Sequence, residues 1–264
     1  MKIFTKTTIK TLITFTLGVA ITLAGGYYFV MHEDDPCDDV NVGFVTIEGD
    51  IDYPEDYFEN SIIASDVIEE IEELENNEKI KGIVIELDSS GGAPTSSERM
   101  MMAVKNTSKP TVAVIRNSGT SGGYLIASAA DRIFVSKLSD VGSIGISLSF
   151  LDTTAKDLKE GSVFYNFSSG KYKITGTEHS EMTKEQRDVV MEDVMQSHEI
   201  FVKYVSENRN IPIEKVEELA TGRSWLGGDS VALGLADEIG GTPEAIKWLK
   251  EYLEEDVTYC SSRY

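Results

Sequence analysis

Apolar positions change their period several times along the chain, and each change marks an element. From Thr11 to Met31, TLITFTLGVAITLAGGYYFVM, no charge interrupts a mostly apolar run, a length suited to a membrane span of about 20 residues. Val42, Phe44, Thr46 and Ile47 predict a first strand, and Ile62, Ile63, Val67, Ile68, Ile71 and Leu74 recur at helical spacing up to Asn76. Ile80 to Leu87, IKGIVIEL, is short and β-branched, the pattern of a strand buried on both faces of a largely parallel sheet. A helix is expected from Thr95 to Asn106, and then a strand from Thr111 to Ile115. Further strands are expected at Arg132 to Val135 and Val163 to Phe167, with a short helix between them, capped by Asp152 and ending at Glu160. A long amphipathic helix follows Thr183 as far as Asn208, with Glu185 and Gln186 in its first turn and Val189, Val190, Val194 and Phe201 on its stripe. Helices from Pro212 to Ala220, Gly227 to Leu233 and Pro243 to Leu253, with an edge strand from Leu235 to Ile239, complete the pattern. Alternating strands and helices place the chain in the α/β class.

Charge divides the chain. Lys2, Lys6 and Lys10 precede the apolar run, and Glu33, Asp34, Asp35, Asp38 and Asp39 follow it. Lysines before and acids after predict a single-pass anchor in the cell membrane, with the N-terminus cytoplasmic and the remainder outside. A cleaved secretory signal is the alternative, but the run exceeds a usual signal core, and Ala24, Gly25 and Gly26 lead into aromatics without an A-x-A site. The expected organisation is an N-terminus and anchor over 1–31, an acidic linker over 32–41, one catalytic domain over 42–254 and a tail over 255–264. Across all 264 residues, 45 acids against 24 bases give a net charge of -21. That disfavours nucleic acid as a partner, which calls for basic patches.

The two cysteines, Cys37 and Cys260, flank the domain. In an oxidising compartment they can pair, and closing so long a loop would stabilise by roughly 4 kcal/mol in the chain-entropy model. The alternative is two unrelated thiols in the tails. So few Cys and His give little support to a metal site.

The candidate chemistry lies where the Thr111 to Ile115 strand runs into Asn117-Ser118-Gly119-Thr120-Ser121-Gly122-Gly123. A serine between glycines where a strand turns into a helix is the geometry of an exposed nucleophile. Glycines permit the tight turn, and the helix start offers free N–H groups to an anion. A second pair, Gly91-Gly92, follows the buried Ile80 to Leu87 strand. Backbone N–H groups at both pairs can face the oxyanion of a tetrahedral intermediate, at about 3 kcal/mol per donor. Ser121 also needs a base. Of the histidines, His32 lies in the linker, His198 in mid-helix and His179 in a polar loop. An amine serves only when neutral, so a lysine base must lose its proton through burial or a cationic neighbour. Lys173 sits among Tyr172, Ile174 and small residues with Lys171 close by, and chemistry alone does not choose between them.

Several motifs in order resemble the signal peptide peptidase A (SppA) family. They are Leu87-Asp88-Ser89-Ser90-Gly91-Gly92, Thr120-Ser121-Gly122-Gly123-Tyr124 with Ala129-Ala130-Asp131, and Gly142-Ser143-Ile144-Gly145. Gly170-Lys171-Tyr172-Lys173 matches the family's Gly-x-x-Lys, and Gly222-Arg223 with Gly234-Leu235-Ala236-Asp237-Glu238-Ile239-Gly240 looks like its C-terminal signature. The resemblance spans roughly residues 42 to 250. It implies a ClpP/crotonase-like fold of ββα units, preceded here by the transmembrane helix. It implies a Ser-Lys dyad with Ser121 as nucleophile and Lys173, not Lys171, as base, and an oxyanion hole from Gly91, Gly92 and Gly122. Signal peptides or other short hydrophobic peptides would be the substrates, with no metal or cofactor. Short, single-domain members form dome-like homo-oligomeric rings, octameric where known in the family, in which Ser and Lys meet across a subunit boundary. A monomer would then be inactive. Two positions depart from the pattern: Ser90 stands where proline is usual, which loosens the oxyanion loop, and Leu125 stands where a second aromatic is common.

Two rival readings remain. Gly119-Thr120-Ser121-Gly122-Gly123 also satisfies the G-x-S-x-G elbow of α/β-hydrolases, which calls for a late catalytic His. A membrane-anchored scaffold of the same fold would need neither Ser121 nor Lys173.

Overall fold

The computed structural model describes residues 40–51 and 62–260. The expected anchor, most of the expected acidic linker and Cys37 lie outside the described residues. No described helix is long and apolar enough to cross a membrane.

Five strands form a parallel sheet in the order β1 (Val42–Glu48), β2 (Gly82–Ser89), β3 (Thr111–Thr120), β4 (Arg132–Val135) and β7 (Glu238–Ile239). Side chains alternate across a strand, and both faces are covered. Ile83, Ile85 and Leu87 enter the larger core with Val45, Ile47 and Ile115. Val84 enters the smaller one with Val42, Val112 and Phe134, under Ala245 and Leu249 of the last helix, α8 (Thr242–Leu253). Burial on two faces explains why β2 reads as a near-continuous apolar run. Helices α1 (Ala64–Asn76) and α2 (Pro94–Asn106) put Ile71, Met100 and Val104 into the larger core.

β3 changes partner along its length within one seven-stranded sheet. Val112 to Ile115 pair with β4, whereas Ser118 to Thr120 pair with β5 (Asp140–Gly142), and β6 (Ser224–Leu226) adds to β5 antiparallel. Neither three-residue strand was expected from sequence. The change of partner coincides with a register break between Leu87 and Ser89. Asp88 fills that break, its carboxylate accepting from Asn117 Nδ2 at 2.5 Å and from the Ser118 N–H at 3.1 Å. β3 thereby runs on past the break, still paired with β2 at Gly119, and leads into α3 (Gly122–Ser128), every residue of which is buried.

Elsewhere the expected elements recur with shifted ends. The long helix α5 (Lys184–Arg209) opens on a complete capping box between Thr183 and Gln186. Only Phe201, Val202 and Val205 of α5 are buried; Val189, Val190 and Val194 stay partly exposed. α6 (Ile213–Leu219) and α7 (Gly227–Leu233) follow. The edge strand expected over Leu235 to Ile239 shrinks to two residues, because the Asp237 carboxylate caps β4 through the Ile133 N–H at 2.7 Å and pairs with Arg209 at 2.7 Å.

Residues 146–183 form an arm with one helix, α4 (Thr154–Glu160). Its N-cap is Thr153; Asp152 acts one residue earlier, accepting the Thr154 N–H at 2.9 Å. The strand expected at Val163 to Phe167 does not form: no strand pairs with this segment, and its apolar side chains are exposed. The tail is docked, with the Asn41 and Val42 N–H groups donating to Thr258 O at 2.9 and 3.1 Å on the edge of β1. Cys260 in this segment is disulfide-bonded.

Candidate active site

Ser121 stands at the junction of β3 and α3 with φ +52° and ψ -123°, a positive φ that a non-glycine residue adopts only under strain. Its N–H donates to Gly142 O at 2.7 Å, and its carbonyl accepts from Leu125 N at 3.0 Å, so both sides of the turn are pinned.

The three glycines named from sequence converge here. A Cβ on Gly91 would lie 2.5 Å from Gly122 N and 2.9 Å from Ser121 Cβ, so Gly91 must be glycine for the loop to touch the turn. A Cβ on Gly92 would lie 1.9 Å from Ile51 O, and one on Gly122 would lie 2.2 Å from Ser97 Oγ. The loop is fixed from below, with Ile51 N donating to Gly91 O at 2.9 Å and Ala93 N to Ile51 O at 2.6 Å. The amides differ in their commitments. Gly91 N–H already donates to Ser89 Oγ at 3.1 Å. Among the described residues, no acceptor is bonded to the N–H of Gly92 or of Gly122. Those two donors are therefore available to an oxyanion, while Gly91 contributes its missing side chain.

Two cavities open beside Ser121. The smaller, about 180 Å³, is bounded by Gly92 and Gly122 and walled by Leu125, Ile146 and Phe201. The larger, about 430 Å³, runs past Ser143 to Met191, Met195 and His198 on α5. Ser143 also holds a positive φ, +51°, and its Oγ donates to Gly222 O at 3.2 Å. The Gly142 to Gly145 motif is thus tied to Gly222-Arg223, two segments distant in sequence.

The candidate bases separate. Lys173 is exposed on the arm, lines neither cavity, and its ammonium has no hydrogen-bond or ion-pair partner among the described residues. Lys171 pairs with Glu185 and lies 5.3 Å from the Tyr172 ring centroid. The hydrogen bond to Glu185 pushes its pKa above the ordinary lysine value, which opposes the role of a base. His179 is pinned elsewhere, with Nδ1 2.9 Å from Asp157 Oδ2 and its ring stacked 3.7 Å from that of Phe164. His198, placed in mid-helix from sequence, is half-buried in the larger cavity with Ser121. It has no carboxylate partner among the described residues, so no Ser-His-Asp triad is assembled there. Also among the described residues, no cluster of His, Cys, Asp and Glu is placed to hold a metal ion.

Sequence reasoning missed the wall of the smaller cavity formed by Glu98 on α2 and Tyr204 on α5. The Tyr204 O–H donates to Glu98 Oε1 at 2.5 Å. Ser143 was legible only as part of a small-residue turn; its place beside Ser121 depends on the β3–β5 pairing.

A parallel sheet that releases a strained serine into a short buried helix makes this an α/β protein of the ClpP type. A mutant ClpP1 from Listeria monocytogenes superposes with a TM-score of 0.52 over 76% of this chain and 92% of its own, at 15% identity, which is likeness of fold alone. The model of Peptidase family S49 matches residues 103–257, more than half of the sequence, and the chain belongs to that family. It is 31% identical over 195 residues to the chloroplastic serine protease SPPA of Arabidopsis thaliana, covering 73% of this chain and 29% of that one. Against Protease 4 of Haemophilus influenzae it is 28% identical over 218 residues, covering 81% and 35%. The chain thus spans about a third of the length of these two relatives.

Proposed function

We propose that the protein is a membrane-anchored serine endopeptidase that works outside the cytoplasm and degrades cleaved signal peptides or other short hydrophobic peptides. The observation that carries this reading is the convergence on Ser121 of a strained turn, two unused backbone N–H groups and two cavities. Family membership supports the peptidase class. Ser121 Oγ attacks the scissile carbonyl while a neutral Lys173 takes its proton. The N–H groups of Gly92 and Gly122 hold the oxyanion, the protonated amine returns its proton to the departing amine, and water then releases the acyl group.

Lys173 lies on the arm and outside both cavities of its own chain, so the amine is supplied by a neighbouring copy in a ring, an octamer if the family pattern holds. Full-length protein in detergent should cleave a signal-like peptide, and Ser121→Ala and Lys173→Met should each lower the rate by about a thousandfold or more. Co-assembling the two inactive variants should restore cleavage, because some sites then combine an intact serine with an intact lysine. Unchanged cleavage by Lys173→Met, or mixed assemblies as inactive as their parts, would sink the shared dyad. His198 in the cleft favours the Ser-His alternative; loss of activity in His198→Ala with Lys173→Met still active would establish it.

A further inference from the structure

The smaller cavity is the one that touches both free amides and Ser121. A substrate carbonyl held by Gly92 and Gly122 has its side chain on the adjoining Cα, within reach of this cavity; the larger one touches neither glycine. About 180 Å³ is below the roughly 300–1,000 Å³ of sites that enclose a whole small ligand, and suits one residue of a longer chain. Its walls are apolar on one side, from Leu125, Ile146, Ile200 and Phe201, and among the described residues Glu98 is the only charged one lining it.

Glu98 is half-buried and has no cationic partner among the described residues. One oxygen accepts from Tyr204; among the described residues the other has no donor and stays open to solvent. The bond to Glu98 pushes the Tyr204 phenol above its ordinary pKa, keeping it a donor that aims the carboxylate. A half-buried carboxylate in the wall of a cavity favours a ligand that brings a positive charge. We propose that Glu98 is a specificity-determining residue, and that the cavity selects a side chain with an apolar stem and a cationic tip, lysine or arginine, at the residue whose carbonyl Ser121 attacks. This rests on the peptidase reading above and names the kind of peptide it prefers.

The test separates the two. Full-length Ser121→Ala protein, which cannot turn over substrate, is titrated by fluorescence anisotropy with two peptides that differ only in lysine or norleucine at the selected position. Lysine should bind about tenfold tighter, and adding Glu98→Gln, which keeps the shape, should bring the ratio near one. Adding Tyr204→Phe instead should lower the ratio partway, because the carboxylate stays but is no longer aimed. Glu98→Lys should invert the preference toward glutamate at that position. Equal binding of both peptides, a preference for norleucine, no binding of either, or a ratio unmoved by Glu98→Gln would each overturn the proposal. Cleavage by the unaltered protein tests the peptidase reading on its own, since the binding ratio can be read whether or not any bond is broken.

Discussion

The sheet that carries Ser121 and the arm over 146–183 use apolar residues in opposite ways. In the sheet, Ile83, Ile85, Leu87, Val112 and Ile115 are buried within one chain. The arm leaves Phe167 at 92% and Leu158 at 75% exposure, with Leu151, Val163 and Tyr165 similarly bare. Its order comes instead from polar ties, chiefly Thr153, Asp157, Glu178 and His179. Contiguous exposed apolar surface marks an interaction face in a soluble domain. Ser121 and the free amides of Gly92 and Gly122 are thus brought together within a single chain, while the segment bearing Lys173 leaves its apolar side chains exposed.

The largest effect that would sharpen this contrast is expected beside the sheet. Gly92→Ala drives a Cβ to 1.9 Å from Ile51 O at φ +150°, so the loop must move and its amide loses its aim. Displacing one oxyanion donor costs about a hundredfold to a thousandfold in kcat. Steady-state kinetics should show that loss, with the assembly state by light scattering unchanged. Retention of full kcat would mean that the Gly92 N–H is not a donor.

Next comes the arm. Paired substitutions Leu158→Ser and Phe167→Ser remove apolar surface that no described residue of the same chain covers. Thermal stability of the fold should move little, by about 0.5 kcal/mol or less, as for surface changes generally. Assembly should weaken, so that activity falls with dilution far more steeply than in the parent. An unaltered oligomer distribution would break the comparison, because the arm would then be merely exposed. A smaller effect is expected at Lys171→Met: its amine is committed to Glu185, so most of the activity should survive, and an activity loss matching that of Lys173→Met would reverse the assignment of the base.

The same contrast explains what could be read from the chain. The strands at 82–89, 111–115 and 132–135 were legible because residues buried on both faces leave a continuous β-branched run. Gly91 and Gly92 were legible because their backbone shapes restrict the residue type, and Ser121 because it stands between small residues where a strand turns into a helix. Val163 to Phe167 has the composition of a strand, yet composition does not say whether another strand is beside it, and none is. The β5 and β6 strands are too short to show a period. Glu98 and Tyr204 come from helices with 105 residues between them and meet only through packing. His198 was legible as a mid-helix residue, but its place in the larger cavity beside Ser121 depends on how α5 packs and leaves no mark in the sequence.

The smallest expected effect concerns how the arm is held. The hydrogen bond from His179, assisted by Thr153, holds the Asp157 carboxyl below the ordinary aspartate value of 3.8. A carboxyl whose pKa is lower folded than unfolded adds stability that is fully present above the unfolded value and is lost as pH falls through the folded one. The tie should therefore persist from neutral pH down to about 3.8 and weaken only below it. Amide exchange over Thr154–Glu160 should accelerate in that acid range before exchange in β2 does, because local openings cost less where few apolar contacts are buried. Asp157→Asn should abolish the acid step and raise exchange in α4 at neutral pH. If α4 and β2 lose protection together at every pH, the arm and the sheet are one cooperative unit, and the distinction between a buried core and an arm held by its own polar ties does not stand.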